Sequence, residues 1–408
     1  MTYPPQNEDV TTVYLKVRPS RRRERCFRLA SAALGVLIAL FILEVASRIF
    51  LYRYAQFIDR LNEEVARQWG GPLTLRDVAR TSSNPARVYE LWPGARGTFA
   101  GQPLEINSGG FRDREWAVEK SPSTVRIAIL GDSVAFGWGV PVEKRYSNVL
   151  EQLLTHDPPT TGVAYECLNF AVPGYNTVQE LATLREVVLR YSPDVVIVNL
   201  VDNDDEVPNF IRLRPQWWSL RQSFLVEAIR DRLVGRPLGD TARLLFGGIV
   251  QAGGRGHGEH VRGFRPELVP PEYRFLVGWE NMVQALHGIH DECTSRGIAA
   301  VCVIHYTDLS PLLAAERPTA AENNPMAAWK KAAEDAGFVV CDPAEVLIRY
   351  LRQNGAGAKA LWLSEKDPHP NEVGHRLIAQ ALAQTLKPLL APTNSVRVSS
   401  NGGNAASH

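Results

Sequence analysis

The sequence predicts an α/β protein: a three-layer α/β/α domain around a doubly wound, mostly parallel five-stranded sheet, preceded by an N-terminal transmembrane helix. Three observations predict it. From Thr124 onward, short apolar runs alternate with amphipathic stretches, the order that builds parallel sheets from strand–helix units. The runs "TVRIAIL" and "DVVIVNLV" are continuously apolar, as strands covered on both faces are. Upstream stands "CFRLASAALGVLIALFILEVASRIFLY", Cys26 to Tyr52, the most apolar stretch of the chain.

The elements follow in order. Residues 1–25 are polar and basic and are expected to form a disordered cytoplasmic tail; Lys16, Arg18, Arg21, Arg22, Arg23, Arg25 and Arg28 crowd the approach to the apolar stretch. Residues 26–52 form the expected membrane span, with Leu29 to Leu43 free of charge and Glu44 and Arg48 spaced to pair on one helix face. No A-x-A cleavage site follows, so a retained anchor is preferred to its rivals, a cleaved signal peptide or a buried helix. The basic cluster then stays cytoplasmic and the rest of the chain lies outside the cytoplasm. Residues 53–123 read as a helical stem and a short β-rich lead-in, and 124–391 as the main domain.

In that domain the strands are "TVRIAIL", "AYECLNFAV", "DVVIVNLV", "IAAVCVIHY" and "FVVCD". The intervening helices include "VEKRYSNVLEQLLTH" and "TVQELATLREVVLRY", and "NEVGHRLIAQALAQTLKPLL" closes the domain. An insertion rich in Arg, Trp, Gly and Pro interrupts it over 208–272, and 392–408 reads as a disordered tail. A formal net charge of +1 argues against nucleic acid as a partner. The five cysteines contain no C-x-x-C pair, and Cys167, Cys293, Cys302 and Cys341 read as buried apolar residues.

Open parallel sheets place their sites beyond the carboxyl ends of the strands. There the sequence offers Ser133 in "GDS", Gly174 in "NFAVPGYNT", Asn203 in "VDNDD", and His369 beside Asp367 in "EKDPHPNEVGH". A hydroxyl, a glycine amide, a carboxamide and an imidazole near a carboxylate are the groups that acyl transfer needs.

These four segments, in this order, resemble four sequence blocks of the SGNH (GDSL-type) hydrolase superfamily. Together they cover roughly Val125 to Leu390, and "INSGGFRDREW" resembles the lead-in of its membrane-anchored bacterial members. The resemblance implies a flavodoxin-like sheet with Ser133 as nucleophile and first oxyanion-hole amide. Gly174 and Asn203 would be the further oxyanion donors, His369 the general base, and Asp367 the acid orienting it. No metal or organic cofactor is implied. Two positions depart from the pattern: Val201 stands where the family carries Gly, and Lys366 where it carries the acid, with Asp367 one residue later.

The resemblance implies a serine esterase working through an acyl-enzyme on O-acyl esters, O-acetyl above all. The expected substrate is a cell-surface or secreted glycan, ahead of a lipid or small ester. O-acyl transfer on the same fold is the alternative, and a non-catalytic glycan-binding or assembly protein the competing class. Plainer readings stand beside these. Ser133 and Gly174 also suit turns, and Asn203 suits a helix cap. Asp202, Asp204 and Asp205 read as an acidic loop rather than a metal site, and His375 as packing in the last helix. His257 and His260 have no ligand partner in view, and "GGRGHG" lacks the Lys-Ser/Thr of a phosphate loop. Trp217 and Trp218 suit a core, a membrane face or a sugar platform equally. Gly137 and Gly139 are expected to let the following loop run close beneath the reacting group.

Overall fold

A computed structural model describes residues 21–68, 73–211, 223–233, 269–315, 324–365 and 367–391. The first residues of the basic tail, Trp217, Trp218, His257, His260, Lys366 and the tail after 391 lie outside the described residues. The chain divides into two units, Met1–Gln56 with Trp217–Ala242, and Phe57–Gln216 with Arg243–His408.

Helix α1 (Arg21–Gln68) is long and apolar enough over Arg21–Tyr54 to cross a membrane, and it ends at Gln68. The lead-in is β-rich as its turn residues suggest. After α2 (Leu75–Val78), β1 (Ala79–Thr81) pairs antiparallel with β2 (Tyr89–Leu91), and β3 (Arg96–Phe99) with β4 (Gln102–Glu105).

The α/β domain opens with β5 (Thr124–Leu130), α3 (Ser133–Phe136), α4 (Tyr146–His156), β6 (Ala164–Asn169), α5 (Thr177–Glu186) and β7 (Val195–Leu200). Within the insertion, α6 (Phe224–Leu233) belongs to the first unit. The domain resumes with α7 (Trp279–Thr294), β8 (Ala299–Ile304), α8 (Ser310–Ala314), α9 (Ala327–Asp335), β9 (Val339–Cys341) and α10 (Ala344–Gln353). A short antiparallel hairpin of β10 (Trp362–Ser364) and β11 (Asp367–Pro370) leads into α11 (Glu372–Leu390).

The five main strands pair in the order β6-β5-β7-β8-β9, and every pairing is parallel. Each residue of β7 is buried, as its unbroken apolar run requires. The chain steps from β5 to β6 in one direction and then crosses back to β7 in the other. Right-handed crossovers therefore put α4 on one face and α5 on the other. Accordingly α4 packs on α11, and α5 on α7. The reversal makes β5 the topological switch point, where the crevice at the carboxyl edge opens.

The helix expected from Val142 begins instead at Tyr146, after a 3₁₀ turn at Val142–Lys144. Arg145 is the reason: its backbone is extended, and its buried side chain turns inward to Asp113 at 3.3 Å. Cys167, Cys293, Cys302 and Cys341 are buried free thiols, whereas Cys26 is exposed.

Candidate active site

Strand β5 delivers its chain to Gly131, whose φ of +158° and close neighbours leave no space for a side chain. A Cβ there would lie 2.5 Å from Ala135 Cβ and 2.9 Å from Asn199 Cβ. Asp132 then caps α3, its carboxylate accepting from the Val134 N–H at 2.9 Å. Ser133 is thereby fixed as the first residue of a helix, and its Oγ stands 2.8 Å from His369 Nε2 and 3.2 Å from Asp132 Oδ2.

His369 reaches Ser133 from β11, 236 positions away in sequence. Its Nδ1 lies 2.6 Å from Asp367 Oδ1, and the same oxygen accepts the His369 backbone N–H at 3.1 Å. The two-residue spacing works because β11 is extended and the carboxylate folds back on its own strand. Burial pushes the Asp367 carboxyl up, but the His369 ring, its backbone N–H and the Trp138 indole outweigh it and hold the pKa below the ordinary value. Asp367 therefore stays ionised, which fixes the ring with a proton on Nδ1 and leaves Nε2 free to accept from the hydroxyl.

Trp138 is the site residue that motif reading missed. Its indole stacks on the His369 ring, with centroids 5.5 Å apart and planes at 22°, and meets Phe99 of β3 edge-on at 5.0 Å. Gly137 and Gly139 flank it with φ of +78° and +72°. What approaches them is protein. A Cβ on Gly137 would meet the Arg145 side chain at 2.9 Å, and one on Gly139 would meet Leu363 Cδ1 at 2.2 Å. A tryptophan between two such glycines is a signal that could have been read. The lead-in supplies the clamp: Arg112 donates to the carbonyls of Gly137 at 2.8 Å and Val140 at 3.0 Å. Asp113 accepts from the Asn169 N–H at 3.0 Å, tying β6 to the same segment.

Gly174 and Asn203 stand on the turns leaving β6 and β7, the strands on either side of β5. Gly174 has φ of +77°, and a Cβ there would sit 1.8 Å from Asn209 Nδ2. Its turn is braced by Tyr89, whose hydroxyl donates to the Pro173 carbonyl at 2.6 Å. Asn176 caps α5 and donates to the carbonyls of Glu206 and Leu276 at 3.1 and 2.6 Å, holding the turns after β6 and β7 together. Neither Gly174 nor Asn203 forms a hydrogen bond to Ser133, whose Oγ bonds to His369 and Asp132.

Val201 is fully buried and has no positive φ, so its position does not require glycine. Its N–H donates to Asp204 Oδ2 at 3.0 Å. Asp204 and Glu180 are both buried, and that burial, then the nearby negative charges, pushes both carboxyls well above the ordinary range. Beside them the side chains of Asn199 and Asn203 Oδ1 have no hydrogen-bond partner among the described residues. Asp202 accepts from Thr307 Oγ1 at 3.1 Å. No group of three His, Cys, Asp or Glu is placed to hold a metal among the described residues. His375 is buried in α11 and accepts the Tyr146 N–H at 3.3 Å; burial, then the positive charge of Arg145, lowers its pKa to about 3.

Residues 129–377 match the family model described as "GDSL-like Lipase/Acylhydrolase family", more than half of the chain. An arylesterase of Vibrio mimicus is 31% identical over 85 residues, which are 21% of this chain and 40% of the relative. The chain thus spans two-fifths of that curated relative's length. Among solved structures, TesA aligns at 14% identity and a TM-score of 0.36, over 65% of this chain and 99% of its own. An acetylxylan esterase from Geobacillus stearothermophilus aligns at 11% identity and 0.39, over 66% and 97%. The matched span runs from β5 into α11 and carries Ser133, Gly174, Asn203, Asp367 and His369; the chain belongs to the GDSL-like lipase/acylhydrolase family.

Proposed function

We propose that the protein is a serine esterase that works through an acyl-enzyme on O-acetyl or similar O-acyl esters. One observation carries this reading: Ser133 Oγ, His369 Nε2, His369 Nδ1 and Asp367 Oδ1 form an unbroken chain of contacts at 2.8 and 2.6 Å. In such a chain His369 Nε2 takes the Ser133 proton as Oγ bonds to the ester carbonyl carbon, and Asp367 stabilises the imidazolium. Collapse of the tetrahedral adduct breaks the bond to the alcohol oxygen, which leaves with the proton from His369. Water then repeats the sequence, regenerating Ser133 and releasing the acid. The Ser133 and Gly174 amides and the Asn203 side chain are the donors proposed to stabilise the oxyanion.

The proposed setting is the outer side of a membrane, with α1 as a retained anchor and the basic segment before it cytoplasmic. That setting favours a cell-surface or secreted glycan as the acyl carrier. A fluorophosphonate probe tests the chemistry: it should label the wild-type protein and not Ser133→Ala. Failure to label, or labelling that persists in Ser133→Ala, contradicts the reading. Product analysis with an acetylated glycan, with and without a hydroxyl acceptor, should yield free acetate in both cases; acetyl carried to the acceptor would make the enzyme a transferase.

A further inference from the structure

Within the first unit, Glu44 breaks the apolar run of α1, and the structure shows what its carboxylate does. Oε1 accepts from Arg48 Nε at 2.8 Å and from the Phe224 N–H at 2.9 Å. Oε2 accepts from the Ser223 hydroxyl at 2.7 Å and from the Leu225 N–H at 3.1 Å. Ser223 Oγ in turn accepts the Val226 N–H at 3.2 Å. The first three amides of α6, normally left for water, are all bonded within the protein. Phe224 is buried, with the Arg48 guanidinium 4.3 Å from its ring centroid. The start of α6 is thus clipped onto α1 where the charge-free run Leu29–Leu43 ends.

Among the described residues, none covers the opposite side of α6 in this way. Val226, Ile229 and Leu233, spaced to share one helix face, are 59%, 53% and 82% exposed. The apolar surface of α1 on the other side of the clip is also bare, with Leu37 and Phe41 exposed. Arg230 and Arg232, both exposed, flank the α6 face. We propose that α6 is an interfacial membrane helix that lies in the head-group zone, with Val226, Ile229 and Leu233 turned into the acyl chains and Glu44 fastening it to the anchor. This rests on reading α1 as a membrane anchor. The occupant is the bilayer because Glu44 holds the start of α6 at the end of the charge-free run of the span, and because satisfied helix-start amides are what a region poor in water demands.

The test uses the full chain in nanodiscs of phosphatidylcholine and phosphatidylglycerol, in a Cys26→Ser background. An environment-sensitive fluorophore is attached through Ile229→Cys or, separately, Leu37→Cys. Doxyl-labelled lipid should quench the label at 229 several-fold more strongly than iodide does. Quenching by iodide alone would put the face in water, and quenching by neither would put protein over it; either overturns the inference. The label at 37 reads the anchor by itself. Lipid quenching there but not at 229 defeats only the present inference, whereas its absence at 37 defeats the anchor reading. Glu44→Gln should cut lipid quenching at 229 at least twofold and leave position 37 unchanged; no change at 229 would overturn the role given to Glu44.

Discussion

The two sides of Ser133 are built on opposite plans. Toward β11, each polar atom in line is engaged: hydroxyl to imidazole, imidazole to carboxylate, carboxylate also to a backbone N–H and the Trp138 indole. Toward β7, buried polar atoms outnumber their partners: Glu180, Asn199, Asn203 and Asp204 all carry atoms without a hydrogen bond among the described residues. A proton relay must be assembled before substrate arrives, because its geometry sets the tautomer. The unpaired atom of Asn203 is Oδ1, an acceptor, so the donor proposed for the oxyanion is its Nδ2 and not the unpaired oxygen.

Substitutions can break this contrast, beginning with the largest effect. Ser133→Ala should lower kcat by about 10⁴-fold or more, measured as release of p-nitrophenol from an acetyl ester. Asp367→Asn keeps the shape but not the charge, and a loss of about 10⁴-fold in kcat is expected. An unchanged rate would mean that Asp367 does not orient the ring. On the other side, Asn203→Ala should cost about 10²-fold in kcat with little change in KM, as removal of a single oxyanion donor does. A rise in KM alone would assign Asn203 to ground-state binding.

Trp138→Phe keeps the stacking and removes the indole N–H. About tenfold in kcat is expected, the worth of one hydrogen bond to a charged acceptor. The mildest test concerns stability. Burial, then the neighbouring negative charges, raises the Glu180 and Asp204 carboxyls well above the ordinary range in the folded chain, while the unfolded chain ionises them near it. Their contribution is therefore full at low pH and is lost as pH rises above that value, by up to about 1.4 kcal/mol per pH unit for each group. Glu180→Gln should raise the melting temperature at pH 8 relative to wild type, and change it little at pH 4. An equal shift at both pH values would contradict a protonated Glu180.

Much of the fold was legible because parallel strands covered on both faces leave unbroken apolar runs. β5 and β7 could be read from their residues alone, and the alternation with helices gave the layering. The strand-end residues were legible as short motifs, since Gly131 and Asp132 act on a neighbour one or two positions away. Other features were not local. Arg145 delays the start of α4 by reaching Asp113, more than thirty residues earlier in the chain. Trp138 matters through Phe99 and His369, which no spacing rule connects to it. The clamp from Arg112 to the loop at 137–140 likewise joins the lead-in to the first motif through carbonyl oxygens, which carry no sequence signature.

The most direct test of the relay and its nucleophile is rapid-quench mass spectrometry during turnover of p-nitrophenyl acetate. A burst of p-nitrophenol should accompany a mass gain of one acetyl group, mapping to the peptide that holds Ser133 and absent in Ser133→Ala. Asp367→Asn should reach the same adduct more slowly. An acetyl group on another residue, or turnover that persists in Ser133→Ala, would contradict the account.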